Sequence, residues 1–180
     1  MKSNIALIGF MGAGKSAVGR ALAAATAMDF VDLDSRIRQK TGKAISLIFS
    51  SEGEAAFRRI ESDTLSEIAG SANTVIACGG GVVLDRSNVE ILKRRAAIVY
   101  LSAAPSILLR RVLNSPERRP LLQVVDPASA MDGLLKRRLP LYQAAADLTV
   151  DTSDLDIQGV VNKIVSELKF NESHSFPKQD

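Results

Sequence analysis

"IALIGFMGAGKS", residues Ile5–Ser16, decides the fold. Its first four residues are an apolar run that reads as a buried strand, and Gly9, Gly14, Lys15 and Ser16 then complete the pattern G-x-x-x-x-G-K-S. A glycine-rich turn lets the backbone wrap close to a polyphosphate. The N–H groups of Gly12, Ala13, Gly14, Lys15, Ser16 and Ala17 then converge on the anion at a helix N-terminus. Lys15 adds a mobile positive charge, and the Ser16 hydroxyl is placed to ligate Mg2+. At average composition the pattern arises by chance in roughly one chain in 150 of this length. Its context, a strand before and the helix-forming stretch 17–27 after, narrows that further.

Outward from the loop, apolar runs bounded by turn residues recur at 74–78, 97–101 and 148–150, with a weaker one at 30–33. Between them lie helical stripes: Phe57, Ile60, Thr64, Leu65 and Ile68, and later Ile157, Val161, Ile164 and Leu168. Strand and helix alternate, which predicts an α/β domain with a doubly wound, three-layer parallel sheet of five strands. One domain is expected over residues 1–170. Within it, 114–126 carries Pro116, Pro120 and the arginines Arg118 and Arg119, and reads as a long irregular loop. The stretch 171–180 has no periodicity and is expected to be disordered, so its His174 receives no role.

Composition narrows the setting. The chain has 180 residues, 46% hydrophobic and 24% charged, which fits one soluble globular domain. A single cysteine, Cys78, excludes an internal disulfide and, without His or Cys clusters, a zinc site; a cytoplasmic location follows as an expectation. No apolar stretch approaches the roughly 18 residues of a membrane span. The net charge of +3 is spread over small arginine clusters, and aromatics are 4% with no Trp, which argues against a nucleic-acid groove. No heptad repeat is present, so a monomer is expected.

Four further constellations bear on what receives a phosphoryl group. In "FVDLDSR", Asp32 and Asp34 fall at alternate positions where the second strand should end, aimed at the phosphate loop, although both could instead cap the next helix. In "EAAFRRIES", Arg58 lies off the core stripe three residues from Glu61, where a solvated ion pair is the plain alternative. Gly79, Gly80 and Gly81 follow a buried strand and permit close approach of backbone to a ligand. "ERRPLL" and "KRRLPLY" come last. "VIACGGG" lacks the acidic residue that usually ends the metal-binding strand of such sites, so Asp32 is assigned to Mg2+ through water.

In this order and spacing, the loop, "DLD", "FRRIE", "GGG", "RPLL" and "RRLPLY" resemble the shikimate kinase family over about 5–168. The resemblance implies a P-loop NTPase fold of the nucleoside monophosphate kinase type with a mobile lid, ATP and shikimate as partners, and Mg2+ as cofactor. It implies that Arg58 and Arg138 grip the shikimate carboxylate, with Gly79, Gly80 and Gly81 beside it. Asp34 would meet the ring hydroxyls and the attacking oxygen. Arg119, or its neighbour Arg118, would reach the transferring phosphate from the lid, and Arg110 would cover the adenine; a solvated helix position remains the alternative for Arg110. Lys15, Asp34 and Arg119 are the catalytic candidates. Rival readings are a gluconate or nucleoside monophosphate kinase, an idle nucleotide-binding relative, and a guanine-nucleotide switch, the last lacking an N-K-x-D base-reading motif.

Overall fold

The computed structural model describes residues 3–115 and 126–168. Strands β1 (Asn4–Ile8), β2 (Asp29–Asp32), β3 (Thr74–Ala77), β4 (Ala96–Ser102) and β5 (Leu148–Asp151) form one parallel sheet in the order β2-β3-β1-β4-β5. Register runs Leu7 to Ala77 on one side of β1 and Ile8 to Tyr100 on the other. Helices α1 (Lys15–Thr26), α2 (Leu33–Thr41), α3 (Ile45–Ala69), α4 (Arg86–Arg95), α5 (Pro105–Leu113), α6 (Pro127–Ala145) and α7 (Ile157–Glu167) connect and cover the strands. All five residues of β1 are buried, as a central strand covered on both faces requires. Helix α1 packs with α7, while α4 and α6 lie on β4 and α3 packs on α4.

The topology explains where a site can form. From β1 the chain winds to the β2–β3 side, and only after β3 does it cross to β4 on the other side of β1. The loops leaving β1 and β3 therefore flank the crevice in which open α/β sheets hold their ligands. Among the described residues no helix is long and apolar enough to cross a membrane.

Local chemistry departs from the sequence pattern in three elements. The second strand ends at Asp32, not Leu33, because the Asp32 carboxylate accepts the Ser35 N–H at 2.9 Å and starts α2. Asp34 consequently sits in the first turn of a helix instead of alternating with Asp32 at a strand end. In α7 the buried residues are Val160, Val161 and Ile164; Ile157, the first helical residue, is 48% exposed. Helix α3 is broken at Gly53, whose φ of 82° and ψ of 170° leave the helical region and favour a residue without a Cβ. The break lets Phe49 fold back on Phe57, with ring centroids 4.6 Å apart. The loop residues 116–125, with Arg118 and Arg119, and the stretch 169–180 lie outside the described residues.

Candidate active site

The phosphate loop leaves β1 and ends at Gly14, whose φ of 88° turns the chain into α1. No side chain caps α1, so the N–H groups of its first turn are left for a ligand. Lys15 folds back over the loop: its Nζ donates to the Gly9 carbonyl at 2.9 Å and to the Phe10 carbonyl at 3.0 Å. The Ser16 hydroxyl donates to Asp32 Oδ2 at 2.5 Å, tying the start of α1 to the end of β2. Burial pushes the Asp32 carboxyl up, but hydrogen bonds from Ser16 and Ser35 outweigh it and hold the group below its ordinary value. A cleft of about 460 Å3 opens over these residues, lined by Gly12, Gly14, Lys15, Ser16, Ala17 and Asp32 among others. Ala13 is buried beneath it.

A smaller pocket of about 100 Å3 adjoins the cleft, and Met11, Asp34 and Gly80 line both. Around it the structure gathers Asp34 from α2, Arg58 and Glu61 from α3, Gly79 to Gly81 after β3, and Arg138 from α6. Ile45, Phe49 and Phe57 form an apolar wall, which exists because α3 breaks at Gly53. Two cations and an apolar wall suit a compact ring bearing a carboxylate.

Arg58 is not a solvated helix residue. Its side chain is 18% exposed, and Nη1 donates to Glu61 Oε2 at 2.7 Å while Nη2 donates to Glu54 Oε1 at 3.0 Å. Glu61 is 1% exposed and its second oxygen, Oε1, has no partner among the described residues. Burial pushes the Glu61 carboxyl above its ordinary value, Arg58 opposes that, and the nearby Asp34 charge adds to the rise. Glu61 is thus a built-in counter-ion that holds the guanidinium in place. Sequence reasoning registered it only as a surface pairing partner.

Two of the three glycines have a steric reason. None of the three has a left-handed φ, so turn geometry does not demand them. A Cβ on Gly79 would stand 2.7 Å from Glu61 Oε1 and 3.1 Å from Asp34 Oδ1, and one on Gly81 would fall within the Arg58 guanidinium. The backbone is bare at Gly79 and Gly81 because charged side chains occupy the space that Cβ atoms would need. Cys78, immediately before them, is buried, which pushes its thiol up and keeps it protonated.

Arg138 is 5% exposed, whereas Lys136 and Arg137 beside it are exposed. It lies on the buried stripe of α6 with Met131, Leu135 and Tyr142, and its Nη1 donates to the Gly80 carbonyl at 3.3 Å. Spacings of four, three and four along that stripe are a sequence signal that singles it out of the basic run. Arg110 is exposed at the end of α5 and does not line the cleft. Its neighbour Arg111 does, anchored to Thr152 Oγ1 at 3.0 Å and to the Thr152 carbonyl at 2.7 Å.

Comparison with known proteins gives a consistent answer. A family model described as shikimate kinase matches residues 11–169. A shikimate kinase of Thioalkalivibrio sulfidiphilus is 42% identical over 178 residues, covering 99% of this chain and 93% of the relative. One from Thermodesulfovibrio yellowstonii is 44% identical over 164 residues, 91% of this chain and 94% of its own. Among solved structures, the shikimate kinase of Acinetobacter baumannii in complex with shikimate superposes with a TM-score of 0.90 at 39% identity, covering 96% of each chain.

Proposed function

The chain belongs to the shikimate kinase family, and from that premise we propose that it transfers the terminal phosphoryl group of ATP to the 3-hydroxyl of shikimate, giving shikimate 3-phosphate. The observation that carries this reading is the shared wall. A pocket holding Asp34, Arg58 and Arg138 opens through Asp34 and Gly80 onto the cleft that holds Lys15.

The residues divide the work as follows. Arg58 and Arg138 bind the shikimate carboxylate; guanidinium forks in fixed planes suit it better than ammonium groups. Glu61 holds Arg58 at its post. Asp34 accepts from the ring hydroxyls and orients the attacking oxygen. A carboxylate of ordinary pKa about 4 is a weak base for an alcohol, but phosphoryl transfer proceeds through a loose transition state, so positioning outweighs basicity. Lys15 moves from the Gly9 and Phe10 carbonyls toward charge on the transferring group, with Arg119 joining it from the loop. The base contact falls to the last turn of α5, where Arg111 lines the cleft and Arg110 stands exposed beside it.

Mg2+ fits the donors at the cleft mouth. Ser16 and Asp32 offer a hydroxyl and a carboxylate 2.5 Å apart, both hard oxygen donors. Among the described residues no cluster of three or more His, Cys, Asp or Glu could hold a metal, so most of its coordination would come from phosphate oxygens and water. When bound, the ion neutralises charge on the phosphates. A monomeric, cytoplasmic enzyme belongs to the same proposal.

The test is ATP consumption with Mg2+ across shikimate, quinate, gluconate and nucleoside monophosphates. Shikimate should support turnover far above the rest. Equal or faster turnover with gluconate or a nucleoside monophosphate would refute the assignment.

A further inference from the structure

We propose that Tyr142 is a positioning residue for the acceptor: its hydroxyl locks the peptide between Gly80 and Gly81 so that the Gly81 N–H is held ready to donate into the acceptor pocket. The inference deepens the function proposed above and rests on it.

Tyr142 is fully buried, and its hydroxyl donates to the Gly80 carbonyl at 2.5 Å. Arg138, one turn earlier on α6, donates to the same carbonyl at 3.3 Å. Both lone pairs of that oxygen are therefore committed to α6. The peptide is trans, so the N–H of Gly81 runs antiparallel to the Gly80 carbonyl and leaves on the side away from these donors. Neighbouring groups are engaged in the turn itself, with Val82 N–H on the Gly79 carbonyl and Leu84 N–H on the Gly81 carbonyl. The Gly81 N–H has no acceptor among the described residues, although Gly81 is buried and lines the acceptor pocket. Buried backbone donors are rarely left unpaired, and an unpaired one on a residue that lines a pocket is a donor left for a ligand.

The need for such a lock follows from the sequence. Gly81 must lack a Cβ to admit Arg58, yet a Gly-Gly peptide is the one most free to rotate. A flipped peptide would present a carbonyl oxygen to an anionic substrate. Tyr142 removes that freedom, and because Arg138 shares its acceptor, the carboxylate clamp and the Gly81 N–H are set in register. Burial pushes the Tyr142 hydroxyl up to about 12, so it remains a donor throughout the working pH range. Its ring stacks on Tyr100 with centroids 5.1 Å apart, a contact that phenylalanine preserves.

Tyr142→Phe in the full chain is the experiment, read by steady-state kinetics with each substrate varied and by thermal melting. The shikimate KM should rise about 5- to 20-fold, a fraction of the roughly 10- to 150-fold worth of one hydrogen bond to a charged ligand group, because Arg138 still holds the Gly80 carbonyl. The ATP KM should stay within twofold and the melting temperature should barely move. An unchanged shikimate KM, or equal rises in both KM values with a lower melting temperature, would overturn the inference while leaving shikimate phosphorylation by the parent protein intact. A parent that does not phosphorylate shikimate overturns both readings. Should the variant fold poorly, the 15N-labelled parent decides: shikimate should shift the Gly81 amide resonance, and an unmoved resonance overturns the inference.

Discussion

Gly81→Ala adds one methyl group where the Arg58 guanidinium already stands. The backbone can accept it, since Gly81 has φ −103° and ψ 0°, open to any residue, so the conflict is with the side chain alone. Arg58 must give way, and it is tethered by Glu61 at 2.7 Å and Glu54 at 3.0 Å. Moving it surrenders the paired donors proposed for the shikimate carboxylate. A charge-assisted hydrogen bond contributes about 1.5 to 3 kcal/mol, so losing the equivalent of one raises the shikimate KM by about 10- to 150-fold. The cleft proposed for ATP lies on the other side of the shared wall, so the ATP KM should change by less than about twofold. The assay is ADP release with each substrate varied, run on Gly81→Ala, Arg58→Ala and the double variant. If the methyl acts through Arg58, the double variant is no worse than Arg58→Ala alone. Additive losses, or a shikimate KM unmoved by the alanine, would refute the steric account of Gly81.

Other outcomes follow from the same geometry. Lys15→Ala should lower kcat by about 100- to 1000-fold in single-turnover measurements, as loss of a preorganised charge-stabilising donor does; a drop below tenfold would remove Lys15 from the chemistry. Asp32→Ala removes the α2 cap and should cost about 1 kcal/mol at neutral pH by urea titration. The Asp32 carboxyl is held below 3.8 in the folded chain, so its stabilisation is present above that pH and is lost as pH falls through the folded value. The gap between parent and variant should therefore narrow in acid, and a gap that widens would contradict the assigned direction.

How much of this was legible in the sequence depended on how local each determinant is. The phosphate loop and the alternation of strands with helices are set by neighbouring residues, and both stand where the pattern puts them. Asp34 was misplaced by one element because the same "DLD" supports a strand end and a helix cap, and the Ser35 N–H decides for the cap. Glu61 was read as a surface charge because nothing in its own helix reveals that bare glycines from a distant strand end will close over it. Arg138 was legible in principle, since it keeps step with Met131, Leu135 and Tyr142, but a run of three basic residues conceals which one turns inward. The apolar wall of the acceptor pocket depends on a helix break at Gly53, and a lone glycine in a helical stretch does not announce one.

Cys78 is the chain's only thiol, and it is sealed beneath the glycine turn in a protonated state. Maleimide or iodoacetamide will consequently pass it by while the protein stays folded. A second cysteine engineered at an exposed position of α3 such as Leu47, close to the apolar wall, would then accept a fluorophore cleanly, with no need to replace the native residue first.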